Sequence, residues 1–143
     1  MQKNPVLLFL CTGNAARSQM AEALMRHHAG DRYDVHSAGT KPKGVHPLTL
    51  EALKDKDIET KGLRSKHLDE YLGHLPVHTL IVVCSSADQE CPVAWPNLQR
   101  RLFWPFEDPA AAEGSDTAKL AKFREVRDQI EAKIVDWLKE DTL

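Results

Sequence analysis

Cysteine is scarce in this chain of 143 residues, which holds only 3: Cys11, Cys84 and Cys91. An odd, small number makes a poor disulfide framework, and a reducing cytosol would not keep one. Nor is one needed, because a domain of this length buries roughly 70% of the surface its unfolded chain exposes. A basic excess is also missing. Lys plus Arg number 19 against 21 Asp plus Glu, a net charge of −2, which argues against a nucleic-acid partner. Long hydrophobic runs are absent too. The apolar stretch near the N-terminus, Val6 to Leu10, is too short for a membrane span or a signal-peptide core. The expectation is a cytoplasmic protein without a membrane partner. No repeat or low-complexity segment is visible. Hydrophobic residues at 42% and charged residues at 28% are ordinary for a globular fold and exclude disorder. One domain over residues 1–143 is expected.

Val6 to Leu10 is continuously apolar and reads as a strand buried on both faces, as in a parallel sheet. Ser18 is placed to cap a helix carrying Met20, Ala21, Ala23, Leu24 and Met25 at helical spacing, up to Gly30. Tyr33 to Ser37 reads as a second strand, broken by Gly39 and Pro42. Pro47 suits a helix start before Leu48, Leu50, Ala52 and Leu53, and a short helix is expected from His67 to Leu72. Thr79 to Val83 is a third strand, and Leu102–Phe103 starts a weaker fourth. Leu120, Phe123, Val126, Ile130, Ile134, Trp137 and Leu138 form one stripe on a long amphipathic helix, with Asp116 as its expected cap. Alternating strands and helices imply an α/β fold with a central parallel four-stranded sheet flanked by helices. Ligands in such sheets bind beyond the carboxyl ends of the strands, where Cys11 and Cys84 both fall.

The segment Cys11-Thr12-Gly13-Asn14-Ala15-Ala16-Arg17-Ser18 joins the first strand to the first helix. Backbone N–H groups in such a loop point inward and make an anion site. Arg17 adds a planar fork of donors that matches a tetrahedral oxyanion. The same field is expected to lower the Cys11 pKa and provide a thiolate nucleophile. Gly13 and Asn14 tolerate a left-handed backbone, and Ser18 can donate to the Cys11 thiolate.

This loop, followed by Ser18 and then Ala21-Glu22, resembles that of the low-molecular-weight protein tyrosine phosphatases and of the arsenate reductases built on that fold. Ser37-Ala38-Gly39 matches the ending of that family's second strand, and the resemblance runs over nearly the whole chain. It implies that Asp108, in Asp108-Pro109, is the general acid that protonates the leaving oxygen.

The two activities of the resembled family diverge after the first attack. A phosphatase needs only Cys11, since water hydrolyses its cysteinyl-phosphate. A reductase needs a second thiolate to attack the Cys11 sulfur and release arsenite. Cys84 is suited to that step. Cys84 to Cys91-Pro92 resembles the Cys-x6-Cys-Pro element of the thioredoxin-coupled arsenate reductases, which implies that Cys91 takes over the disulfide and passes it to thioredoxin. Glutaredoxin or a small thiol are the other reductants to consider. Seven residues of helix rise about 10 Å, whereas disulfide-linked Cα atoms lie roughly 4.4–6.8 Å apart. A helical Cys84–Cys91 segment would therefore have to unwind on oxidation.

Family phosphatases carry two tyrosines after Asp-Pro, which line the phosphotyrosine slot. Here Ala110-Ala111-Ala112-Glu113 follows, and a ring loses its apolar wall. A small inorganic oxyanion needs none, which favours arsenate. The resemblance further implies a structural potassium ion at Asn14, Glu22 and Ser37; no other cofactor is required. The His27-His28 pair cannot face one metal on a helix, and Arg100-Arg101 reads as solvated. Three readings follow: an arsenate reductase, a phosphatase using Cys11, Arg17 and Asp108 alone, and a non-catalytic oxyanion sensor.

Overall fold

The computed structural model describes residues 4–85, Trp95 and residues 98–141. Cys91 and most of the expected relay segment lie outside them. Among the described residues, four strands and three α-helices follow in the order β1 (Val6–Cys11), α1 (Arg17–Ala29), β2 (Asp34–Gly39), α2 (Pro47–Lys54), β3 (Thr79–Val82), β4 (Arg100–Phe103) and α3 (Asp116–Glu140). Single 3-10 turns occupy Leu68–Glu70 and Pro109–Ala111. The fold is the expected α/β arrangement around a parallel four-stranded sheet.

The strand order is β2-β1-β3-β4 and all pairings are parallel. Leu10 lies opposite both Ala38 and Val82, and Val82 lies opposite Phe103. All four strands therefore finish at one end of the sheet. β1 is central, which is why Leu7 to Leu10 are buried on both faces. On α3, Phe123, Val126, Ile130 and Ile134 are buried, while Leu120, Trp137 and Leu138 are half-buried at the ends of the stripe. This helix packs on α1 and α2, and Arg127 Nη1 donates to Ala52 O at 2.8 Å. Among the described residues, no helix is long and apolar enough to cross a membrane.

Several local expectations need correction. β2 extends to Gly39, which pairs with Cys11 and bridges to His67. Gly39 is not a strand breaker: a Cβ there would meet Thr12 O at 2.5 Å, so only glycine lets β2 run beside the loop. Ser18 does not cap α1. The cap position is Ala16, without a side-chain cap, because the Ser18 hydroxyl is engaged elsewhere. The α3 cap is Ser115, whose hydroxyl accepts from Ala118 N at 3.1 Å, one residue before the expected Asp116. Arg100 is not simply solvated. Its Nε donates to Thr79 Oγ1 at 3.1 Å and its Nη1 to Asp141 Oδ1 at 2.9 Å, with the guanidinium 5.1 Å from the Trp137 ring centroid.

Candidate active site

The loop from Cys11 to Arg17 is shaped by where its carbonyls go. Thr40 N donates to Cys11 O, Lys41 N to Thr12 O and Lys43 N to Gly13 O, at 3.2, 2.8 and 2.9 Å. Gln19 Nε2 donates to Asn14 O at 3.0 Å. His46 N and Thr49 Oγ1 donate to Ala15 O at 3.0 and 2.8 Å. Five consecutive carbonyls are thus turned outward. The peptide N–H groups are left to face the concave side, above the first turn of α1, which is the geometry of an anion nest. The left-handed turn falls on Asn14, at φ 45°. Gly13, expected to share it, does not adopt a positive φ; its lack of a side chain leaves room for the Lys43 stem, whose Cδ would sit 3.4 Å from a Cβ.

Side chains beneath the loop form a directed chain. Asn14 Oδ1 accepts from Lys66 N at 2.8 Å and from Gln19 Nε2 at 3.0 Å. This fixes the amide orientation, so its two N–H hydrogens point the other way. They go to Ser18 Oγ at 2.8 Å and Ser37 Oγ at 3.0 Å. Each serine has one hydrogen left to give. Ser37 donates to Glu22 Oε1 at 2.7 Å. Ser18 Oγ, which accepts from Asn14, sits 2.9 Å from Cys11 Sγ, where it can accept from the thiol or donate to the thiolate. Asn14 N also donates to Cys11 Sγ, at 3.3 Å.

Cys84 follows β3, which lies beside β1, and Val83 N donates to Leu10 O at 2.9 Å. The two strand ends bring Cys84 beside Cys11, close enough for the two thiols to influence one another's ionisation. Both cysteines are reduced and buried. Thr12 Oγ1 lies 3.4 Å from Cys84 Sγ. Arg17 closes the loop from the other side: its Nη1 donates to Phe106 O at 3.1 Å, and its Nη2 lies 3.8 Å from Asp108 Oδ2. The other Asp108 oxygen accepts from Ala110 N at 3.0 Å, which holds the carboxylate at the rim. Cys11, Arg17, Lys43, His46, Asp108 and Ala110 line one cleft of about 450 Å³.

The Cys11 pKa differs in direction from the expected one. The hydrogen bond with Cys84 and burial push the thiol well above its ordinary range, and the bonds from Ser18 only partly oppose them. The expected depression assumed a positive field acting on an isolated thiol. Here a second thiol shares the pocket and water is excluded, so the charged form is disfavoured.

The expected residues Cys11, Thr12, Gly13, Asn14, Ala15, Ala16, Arg17, Ser18, Cys84 and Asp108 are brought together around this cleft. Glu22, Ser37 and Asn14 also meet, behind the loop. Sequence reasoning missed Gln19, which ties Asn14 to Arg64 O (2.8 Å), and Lys66, whose N–H orients Asn14. Gln19 lies next to Ser18 and was within reach of a helical projection. Lys66 carries no local signal, since only the fold brings it to Asn14.

Comparison with known proteins agrees with this geometry. The model of the family described as low molecular weight phosphotyrosine protein phosphatase matches residues 6–142. The chain is 42% identical over 129 residues to an arsenate reductase of Halalkalibacterium halodurans, covering 90% of this chain and 91% of that one. It is 36% identical over 129 residues to an arsenate reductase of Bacillus subtilis, with the same coverage of 90% and 91%. Among solved structures, a thioredoxin-dependent arsenate reductase of Corynebacterium glutamicum superposes with a TM-score of 0.74 at 30% identity. That match covers 97% of this chain but 62% of the other, so the chain spans under two thirds of that protein's length. A low molecular weight protein tyrosine phosphatase from T. tengcongensis shares the fold, with a TM-score of 0.77 at 20% identity over 96% of this chain and 100% of that one. A loop of this construction, inside a family match that spans nearly every residue, means that the chain belongs to the low molecular weight phosphotyrosine protein phosphatase family, among relatives that include bacterial arsenate reductases.

Proposed function

We propose that this protein reduces arsenate to arsenite through a cysteine relay recycled by thioredoxin. The observation that carries the reading is a second buried thiol, Cys84, which the β1–β3 pairing sets beside Cys11 and which lies 3.4 Å from Thr12 of the anion loop. Hydrolysis has no use for a second thiol there, whereas reduction requires one. Among the described residues, the cleft also has Ala110 beside Asp108 and no Phe, Tyr or Trp ring in its lining, which suits an inorganic oxyanion.

The loop N–H groups and the Arg17 fork bind arsenate. Cys11 sulfur attacks arsenic and gives up its proton to the arsenate dianion. Asp108 protonates the departing oxygen and one water leaves, giving a Cys11–arsenic(V) adduct. Cys84 then attacks Cys11 Sγ. The S–As electron pair stays on arsenic, which leaves as arsenite, arsenic(III), while a Cys11–Cys84 disulfide forms. Cys91 attacks Cys84, freeing Cys11 and leaving Cys84–Cys91 for the thioredoxin dithiol to reduce. A relay of free thiols needs a reducing compartment, so we place the protein in the cytoplasm.

The test is arsenate-dependent NADPH oxidation with thioredoxin and thioredoxin reductase supplied. The native chain should turn over, and Cys84→Ser and Cys91→Ser should each lose turnover by at least two orders of magnitude. Turnover that survives Cys91→Ser would redirect the reading to glutaredoxin or a small thiol. Absence of arsenate turnover alongside Cys84-independent hydrolysis of p-nitrophenyl phosphate would replace it with a phosphatase.

A further inference from the structure

Glu22 and Lys66 are both buried, at 1% and 4% exposure. Buried charges persist only where they are paired and hydrogen-bonded, and this pair sits directly behind the anion loop. Lys66 Nζ donates to Arg64 O at 2.6 Å and lies 3.5 Å from Glu22 Oε1. Glu22 Oε2 is 2.6 Å from Arg26 Nη1. Lys66 is held from its main chain as well: Gly39 N donates to its carbonyl at 2.8 Å, and its own N–H donates to Asn14 Oδ1.

These contacts bear on the potassium ion that the family resemblance implies at Asn14, Glu22 and Ser37. Such an ion needs free oxygen lone pairs. Asn14 Oδ1 already accepts from Gln19 and Lys66, which fills it; Ser37 Oγ, which accepts from Asn14 and donates to Glu22, keeps one lone pair, and Gln19 Oε1 is unpartnered, too few oxygens for such an ion. Arg64 O accepts from Gln19 and Lys66. Glu22 already faces two cations, so one more would bring the cluster to two net positive charges in a buried place. The residues present do not fit the ion.

We propose that the Lys66 ammonium takes the place of that potassium ion, so that this chain carries its own monovalent cation against Glu22 and its loop works independently of potassium. Lys66 is then a positioning residue that acts twice on the loop. Its N–H sets the Asn14 amide, and its ammonium joins Arg26 in pairing with the carboxylate at the far end of the Cys11–Ser18–Asn14–Ser37–Glu22 chain. Without it, Glu22 Oε1 loses its facing cation, and a cation-sized gap is left beside that oxygen. The inference concerns the loop itself and stands whether the loop serves reduction or hydrolysis.

The experiment compares KCl with tetramethylammonium chloride at equal ionic strength and reads the thermal midpoint and, by calorimetry, the affinity for inorganic phosphate. Neither readout depends on arsenate turnover. The native chain should give the same values in both salts. Lys66→Ala should bind phosphate roughly tenfold more weakly in tetramethylammonium, a usual size for coupling between sites, and recover in KCl. Lys66→Met, which keeps the stem and removes the charge, serves if the alanine variant does not fold. A native chain stabilised by KCl would overturn the proposal. So would variants that match native phosphate binding, or that are weakened equally in both salts.

Discussion

Cys11 is governed by two neighbours that push its proton in opposite directions. Ser18 Oγ lies 2.9 Å from the sulfur, and where its hydroxyl donates it stabilises the thiolate and lowers the Cys11 pKa. Cys84 and burial favour the thiol. Replacing Ser18 by alanine removes a hydrogen bond to a charged group, about 1.5–3 kcal/mol, which is roughly one to two pKa units. The Cys11 pKa should therefore rise in Ser18→Ala. Cys84→Ala should move it down, because the largest upward influence is gone. The pH dependence of iodoacetamide alkylation at Cys11, followed by peptide mass in a Cys91→Ser background, measures both. A fall in Ser18→Ala would mean that the hydroxyl accepts from the thiol instead.

At the level of elements, apolar strands were the easiest to read. β1 and β3 are buried on both faces, so continuous runs such as Val6 to Leu10 announce them without periodicity. β4 was half hidden because Arg100 and Arg101 open it. Their charge argues for solvent, yet Arg100 is held by Thr79 and Asp141 and covered by Trp137, partners that only the folded chain supplies. The α1 start was misread for a related reason: Ser18 looks like a cap, but the loop spends its hydroxyl on Cys11. The hold of α3 on the rest of the molecule was not legible either. Burial pushes the Glu131 carboxyl up, but hydrogen bonds from Lys56 and from His28, at 2.8 Å, more than offset it, and the pKa ends below its ordinary value. A depressed carboxylate contributes stability at pH above its unfolded value and loses it as pH falls through the folded one. Glu131→Gln should lower the thermal midpoint at neutral pH by about 3 °C, the equivalent of about 1 kcal/mol. The gap should close as pH drops through the Glu131 titration. A gap that persists undiminished in acid would assign the effect to packing rather than charge.

Across the whole molecule, the β2-β1-β3-β4 order brings distant segments to one end of the sheet. β1 supplies Cys11, β3 leads to Cys84, β2 ends against the loop at Gly39, and the chain after β4 delivers Asp108 to Arg17. The net charge of −2 gives no hint of an anion site, because the positive character is local: inward N–H groups, Arg17 and Lys43, which line the cleft. An anion bound there contacts groups that come together only in the native fold, so it must stabilise the entire domain by mass action. At one hundred times its dissociation constant a ligand adds about 2.7 kcal/mol, roughly 8 °C for a chain of this size. Inorganic phosphate, a tetrahedral oxyanion that the thiols cannot reduce, titrated at constant ionic strength against chloride should therefore raise the thermal midpoint of the native chain logarithmically. Arg17→Ala should flatten the rise, because the fork that matches the tetrahedral oxyanion is gone. Cys84→Ser should keep it, since Cys84 is assigned to electron transfer and not to binding. A rise that survives in Arg17→Ala would put the stabilising anion elsewhere on the molecule, and the loop would then need a different account from the one its outward-turned carbonyls support.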